Sequence, residues 1–150
     1  MNKRIFAILI ILIATFTVTT VCAGEELVSH DFGQFKMDIP DNQNVSETMG
    51  GSKIQHPIYA IQNSDLTNFA YVDYINTTYI NGNTTNTTDF VLNTIKENNT
   101  VKMENGTPTW VYKDTGDNGY LISSDDDSQV LIIQGRDVHL QEAINSIEFK

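Results

Sequence analysis

The sequence predicts an α+β fold, an antiparallel sheet of about six to seven strands with two main helices packed on it. Short segments of alternating apolar residues, separated by turn residues, are typical of antiparallel strands. An apolar stripe near the C-terminus has the spacing of a helix that packs on a sheet. A long apolar run at the N-terminus predicts an additional signal or hydrophobic helix. Residues 24–150 suit a single domain of this class.

Residues 1–23 have the pattern of an export signal peptide. Lys3 and Arg4 precede the apolar run 5–21, and the small residues Ala23 and Gly24 are where we expect cleavage. The run is longer than most signal cores and shorter than most membrane spans, so an uncleaved N-terminal membrane anchor is the alternative. A lipid on Cys22 is a third possibility, which the branched Val21 disfavours. The pattern predicts a secreted or cell-surface protein that contacts a membrane only through 5–21, if uncleaved.

The composition restricts the function classes. The formal net charge is -10, and Cys22 is the only cysteine. An acidic surface repels phosphate backbones, so we expect no nucleic-acid partner. Loss of Cys22 with the signal leaves residues 24–150 without disulfides or thiolate metal sites. We expect no cofactor.

Strand and loop patterns alternate in the first half of residues 24–150. Residues 28–39 are predicted to form two strands around Gly33, and Pro40 ends the second. Polar and glycine residues predict a loop over 41–53. Two further strands are predicted at 57–62 and 69–76. Since 69–76 has apolar residues on both faces, we expect it at the centre of a covered sheet.

The second half begins with an Asn/Thr-rich loop over 77–88, and Thr88 is predicted to cap a helix that ends near Glu97. A meander follows, with strands predicted at 100–104, 109–113, 120–124 and 129–134. Its hairpin turns are predicted at Asn105-Gly106, Asn118-Gly119 and Asp125 to Asp127. The last helix is predicted to be capped by Asp137 and to bury Leu140, Ala143, Ile144 and Ile147.

Two terminal segments and this element order resemble a known family. The segments are Phe32-Gly33-Gln34-Phe35-Lys36-Met37-Asp38-Ile39-Pro40 and the stretch from Ile133-Gln134-Gly135 to Ala143-Ile144-Asn145-Ser146-Ile147-Glu148-Phe149. The chain thereby resembles Mog1/PsbP-like domains of small exported proteins of unassigned function. The resemblance implies an antiparallel sheet flanked by helices, in a family whose members mostly bind partners. It carries over no binding residue.

Six Asn-x-Ser/Thr sequons are candidate N-glycosylation sites, at Asn44, Asn76, Asn83, Asn86, Asn98 and Asn105. We expect Asn76, Asn83 and Asn86 to be the best carriers because they lie in or beside the predicted 77–88 loop. Pro108 directly after its acceptor Thr107 weakens Asn105. An Asn/Thr-rich composition also generates sequons without function.

Asp114, Asp117, Asn118 and Asp125 are candidate calcium ligands, because acidic residues on alternate positions before a glycine can converge on one cation. The match is partial, since Gly116 stands where a ligand is expected and Asp125 where a bidentate Glu is expected. An Asn-Gly hairpin turn explains the same residues without a metal ion. We therefore predict no metal site.

The sequence lacks an assembled catalytic motif. Ser29-His30-Asp31 has the residue types of a serine hydrolase, but neighbours on a strand point in opposite directions. His30, His56 and His139 lie in different elements. A hydrolase would need a cleft where His56 or His30 meets carboxylates from other strands.

The leading functional prediction is a non-enzymatic exported or surface-tethered domain that binds a protein or envelope polysaccharide. The alternatives are an envelope-polymer hydrolase and a calcium-dependent adhesion module. Seven aromatic residues in predicted strands could stack on sugar rings if exposed, or pack in the core, which we expect for most of them. They are Tyr59, Phe69, Tyr71, Tyr74, Trp110, Tyr112 and Tyr120.

Overall fold

A computed structural model describes residues 26–51, 55–64, 68–80 and 86–150. The described residues form ten strands and two short helices. The strands are β1 Leu27–Asp31, β2 Phe35–Pro40, β3 Asn44–Gly50, β4 His56–Gln62, β5 Asn68–Asn76, β6 Lys102–Glu104, β7 Thr107–Val111, β8 Asn118–Ser123, β9 Gln129–Gly135 and β10 Glu148–Phe149. The helices are α1 Thr87–Lys96 and α2 Leu140–Asn145.

The strands form two antiparallel sheets. The large sheet has seven strands in the order β3-β4-β5-β9-β8-β7-β6, and the small sheet has three in the order β1-β2-β10. β5 lies between β4 and β9, so the predicted central position of 69–76 is confirmed. The meander from β6 to β9 is also confirmed.

The predicted α+β class is wrong. The described residues are mainly antiparallel β structure, and the helices are only ten and six residues long. The physical reason is that residues 28–39 do not extend the large sheet. They form β1 and β2 of the small sheet, whose apolar side chains Phe35, Met37 and Ile39 face the core. The face of the large sheet on which helices were expected is thus covered largely by the strands of the small sheet.

Each face of the large sheet has its own apolar core. Between the two sheets, Phe35 and Met37 pack with Val72, Leu131 and α2 in the principal core. Ile75, Val91, Trp110, Leu121 and Val130 form a second core on the opposite face, against which α1 lies. Successive residues of β9 alternate between the two cores, as period-two geometry requires.

α2 begins at Leu140 and buries Leu140, Ala143 and Ile144, which confirms part of the predicted stripe. Ile147 lies beyond the end of the helix and is only partly buried. The predicted capping of this helix by Asp137 is wrong: His139 occupies the cap position and no side chain caps the helix, while Asp137 accepts a hydrogen bond from the backbone N–H of His139. α2 packs on β2 of the small sheet.

Three local predictions are wrong. Residues 41–53 were predicted as loop, but β3 occupies Asn44–Gly50 at the edge of the large sheet. Asn118-Gly119 was predicted as a hairpin turn, but both residues belong to β8, and the chain turns before it, where Gly116 has a φ of 74°. Thr88 was predicted as the cap of α1, a role that Asn86 takes.

The predicted signal or anchor, including residues 5–21 and the cleavage position Ala23-Gly24, lies outside the described residues. Within the described ranges, neither helix has the length and apolar character that a bilayer-crossing helix requires.

Candidate functional site

An open groove of about 290 Å³ lies between α1 and the outer face of the large sheet. We call it the α1 groove. The sheet contributes His56, Ile75 and Ile132, and Gly51 lies at the end next to β3. The helix side of the groove is lined by Phe90, Val91, Thr94, Ile95, Glu97 and Asn98.

His56 and Asp73 form a polar pair on this face of the sheet. His56 is the first residue of β4, and Asp73 on β5 lies directly opposite Ile58. His56 is therefore a diagonal neighbour of Asp73, within reach of a long side chain. Its Nε2 lies 3.3 Å from Asp73 Oδ2, and the exposed side-chain fractions are 9% for His56 and 29% for Asp73. An almost fully buried imidazole is thus held beside a partly solvated carboxylate.

α1 is positioned by contacts at its N-terminus. Asn86 Oδ1 accepts a hydrogen bond from the Asp89 backbone N–H at 2.8 Å, which satisfies one of the free donors of the first turn. Thr88 Oγ1 donates to Asp127 Oδ1 at 2.8 Å, and the Thr87 N–H donates to the Asp127 carbonyl. Asp127 belongs to the turn between β8 and β9, so the helix is attached to the sheet on which it packs.

The α1 groove is apolar with a few polar groups. Ile75, Val91, Ile95 and Ile132 form its floor and wall, and Phe90 is 37% exposed. An apolar concavity with a few convergent polar groups is the usual form of a small-molecule site, and this volume is near the lower end of the usual range.

The predicted calcium candidates are not brought together. Asp117 accepts hydrogen bonds from Gln134 Nε2 at 2.8 Å and from Arg136 Nε at 2.5 Å. The bond from Gln134, and then that from Arg136, hold the pKa of Asp117 below its usual value. Asp125 lies beyond the other end of β8, across about 20 Å of extended chain. The described residues hold no group of three or more His, Cys, Asp or Glu side chains that could hold a metal ion.

The Ser29-His30-Asp31 segment does not form a relay. Asp31 Oδ1 accepts hydrogen bonds from the Gly33 N–H and from Lys150 Nζ, and the bond from Lys150 joins β1 to the C-terminus. The bond from Lys150, followed by that from Gly33, lowers the pKa of Asp31. His30 packs edge-on against Phe32, with ring centroids 4.6 Å apart.

The sequons differ in their surroundings. Asn44, Asn98 and Asn105 are exposed. Asn76 is half-buried: its amide donates to the Tyr74 hydroxyl, and its carbonyl oxygen accepts from the Thr78 N–H. Asn86 caps α1, and Asn83 lies outside the described residues. Glycosylation stays a prediction, and among the described sequons exposure favours Asn44, Asn98 and Asn105 over Asn76 and Asn86.

The aromatic residues are mostly in the cores. Tyr59, Phe69, Tyr74 and Trp110 are buried, while Tyr71, Tyr112 and Tyr120 are half-buried. The Trp110 and Tyr112 rings meet at a centroid distance of 5.7 Å. Burial raises the pKa of Tyr112 to about 12. These seven residues therefore do not form an exposed platform for sugar rings.

Sequence reasoning identified His56 but not its partner Asp73. A signal for the pair was available, because Asp73 is the one charged residue within the apolar β5 segment and His56 is the polar start of the preceding strand. The groove itself depends on where α1 packs, which no local pattern indicates.

Comparison of the chain with known protein families, curated proteins and solved structures gives no match. The resemblance to Mog1/PsbP-like domains therefore stays a prediction.

Proposed function

We propose that this protein is an exported, non-enzymatic binding domain and that the α1 groove is its ligand site. The observation that carries the proposal is the groove itself, an apolar concavity with the buried His56 beside Asp73. The export pattern of residues 1–23 supports a role outside the cytoplasm. The ligand is a small molecule with an apolar body, because the groove is small and most of its lining surface is apolar.

A groove-filling variant tests this proposal. Thr94 is exposed on α1 and lines the groove, whereas the adjacent Asn93 is exposed but does not. Thr94→Phe should place a ring over the groove and block it, and Asn93→Phe is the matched control. Binding is measured with an uncharged naphthalene probe whose fluorescence rises in an apolar environment.

We expect the native protein and Asn93→Phe to bind the probe with similar affinity and Thr94→Phe to bind at least about tenfold more weakly, the effect of losing about 1.4 kcal/mol of contacts. Thermal unfolding of both variants checks that each is folded. Equal probe binding by the two variants, or no binding by the native protein, would contradict the proposal.

A hydrolase acting on envelope polymers is the second candidate, because His56 does meet a carboxylate from another strand. Asp73 beside Nε2 would orient the imidazole so that Nδ1 could take a proton from an attacking hydroxyl or water. Release of soluble sugar ends from isolated envelope polymer measures this activity. His56→Gln should abolish it and His139→Gln should not. Absence of turnover by the native protein would exclude this candidate for that polymer.

A further inference from the structure

We infer that the outer edge of β3 is a docking site for an extended segment of a partner protein. The segment adds to the sheet as a strand, with a basic residue at its centre and an apolar residue two positions away on each side. This edge is separate from the α1 groove, so the inference goes beyond the proposed function. Three observations support it: the unpaired edge, the side chains on one face of β3 and an open cleft beside them.

β3 presents an unpaired edge of seven residues. It is the first strand in the order of the large sheet, and it pairs with β4 in one unbroken register from Asn44 to Gly50. Among the described residues, no strand pairs with its other side. The N–H and C=O groups along such an edge are a template for another strand. β3 has no lysine, proline or bulge that would prevent this pairing, whereas β6 at the opposite edge has only three residues and begins with Lys102.

One face of β3 has a carboxylate between two apolar side chains. Val45, Glu47 and Met49 share this face because side chains alternate along a strand. Glu47 lies directly opposite Tyr59, so the face is the one toward the principal core. Glu47 is exposed and forms no ion pair with the described residues, and Met49 is 54% exposed. An added strand would therefore pair best with a basic residue opposite Glu47 and apolar residues opposite Val45 and Met49.

An open cleft of about 350 Å³ lies beside this face, between β3 and the end of β1. Phe32 lines it, with the His30 ring packed against the Phe32 ring. Asp31 also lines the cleft, but an ion pair with Lys150 balances its charge. Gln43 Oε1 is buried there and accepts no hydrogen bond from the described residues. A buried acceptor without a donor favours a ligand that brings one, so the cleft suits a long basic side chain.

A second copy of this chain fits the edge less well than a basic partner does. Glu47 is the central residue of Asn44–Gly50, so in a full-register antiparallel pair of two β3 strands it would lie opposite its own copy. Like charges directly opposite each other destabilise a strand pair. The net charge of -10 on each copy adds to this repulsion. The charges therefore favour a basic segment of another protein over self-association.

A peptide of seven residues with blocked ends, Thr-Leu-Thr-Lys-Thr-Leu-Thr, is the probe. Its sequence reads the same in both directions, so parallel and antiparallel docking can both place the lysine opposite Glu47. The comparison peptide has glutamate in place of lysine. We expect the lysine peptide to bind the protein at least about fivefold more tightly, because the glutamate peptide exchanges an exposed ion pair for repulsion. NMR titration of the isotope-labelled protein gives both affinities and shows whether the shift changes follow β3.

Glu47→Lys is the matched variant, and Glu104→Lys is its control because Glu104 is exposed on the opposite edge strand. We expect Glu47→Lys to reverse the preference between the two peptides and Glu104→Lys to leave it unchanged. Thermal unfolding checks that both variants are folded. Two further lysine peptides carry N-methyl groups on one or the other set of alternate residues. Since successive N–H groups of a strand point to opposite sides, one methylated peptide should lose binding and the other should keep it.

Four results would overturn the inference. They are the absence of saturable binding by the lysine peptide, equal affinities for the lysine and glutamate peptides, similar binding by both methylated peptides, and a dimer of the protein that pairs through β3. In the last case the occupant of the edge would be a second copy of the chain. All four leave the proposed function of the α1 groove standing, because none of them concerns that groove.

Discussion

Replacement of Gly119 by alanine should destabilise the protein by forcing the Trp110 indole from its position. Gly119 pairs directly with Trp110 across β7 and β8. A Cβ at Gly119 would lie 2.2 Å from Trp110 Cε2 and 2.4 Å from Nε1. Carbon atoms in favourable contact are about 3.5 to 4.0 Å apart, so the ring would have to move by more than about 1 Å. Trp110 is 3% exposed and packed in the second core, which limits that movement.

The magnitude follows from two opposing effects. Overpacking a core costs about 1–3 kcal/mol, and Gly→Ala at an unstrained position returns about 0.4–1 kcal/mol by restricting the unfolded chain. We expect a net loss of about 1–2 kcal/mol in the free energy of unfolding. Urea titration, monitored by far-ultraviolet circular dichroism, measures this loss. The circular dichroism signal remains usable when Trp110, the only tryptophan, is replaced.

Trp110→Leu provides the second arm of a double-mutant cycle. With the indole absent, Gly119→Ala should cost little, so the two substitutions should couple by about 1 kcal/mol or more. A glycine held in a left-handed turn would also resist alanine, but its cost would not depend on Trp110. If the effects of the two substitutions are additive, the cost of Gly119→Ala does not come from the Trp110 indole. That result would refute the placement of Gly119 in β8 beside this ring.

Three further predictions concern other sites. Ile144→Ala should lower the free energy of unfolding by about 2–5 kcal/mol, measured by urea titration, because it leaves a cavity in the principal core. Asn145→Ala, at an exposed position of the same helix, should lower it far less. Equal losses in the two variants would contradict the packing of α2. Burial raises the pKa of Tyr112 to about 12, so the stability that its neutral phenol contributes should be complete below pH 10 and lost as the pH rises through about 12. Ultraviolet titration of the native protein, compared with Tyr112→Phe, should show this ionisation step. Ionisation of Tyr112 near pH 10 would contradict the prediction. Hydrogen bonds from Ser124, and then Ser128, lower the pKa of Asp126 to about 2. The stability that the ionised Asp126 contributes to the fold should therefore be complete above about pH 4 and lost as the pH falls through about 2. Carboxyl NMR titration should give that pKa, and Ser124→Ala should raise it.

The strands with strong alternation or central position were predictable from the sequence. β4, β5 and β9 are close to their predicted ranges because their apolar patterns and flanking polar segments are local. β3 escaped prediction because it is an edge strand. Only one of its sides pairs with a neighbour, and most of its side chains are exposed, so polar and glycine residues are tolerated there.

The two-sheet arrangement and the groove depend on contacts between distant parts of the chain. β10 pairs Glu148 with Lys36 and Phe149 with Phe35, more than a hundred residues away in sequence. No periodicity near the C-terminus predicts that pairing, so β1 and β2 were assigned to a single sheet covered by helices. The Asn118-Gly119 pair favours a turn locally, but Gly119 pairs with Trp110 on β7 and with Gln134 on β9 and so belongs to β8. Tertiary packing overrode the turn propensity in that case.

The most direct test of the central claim, that the α1 groove binds a small ligand, is an NMR titration of the isotope-labelled protein with the uncharged naphthalene probe. We expect amide shift changes to concentrate at His56, Ile75, Ile132 and the segment from Phe90 to Asn98, and to saturate with one probe per protein. No saturable change, or changes centred on the separate surface around Lys102, Val111 and Lys113, would contradict the claim.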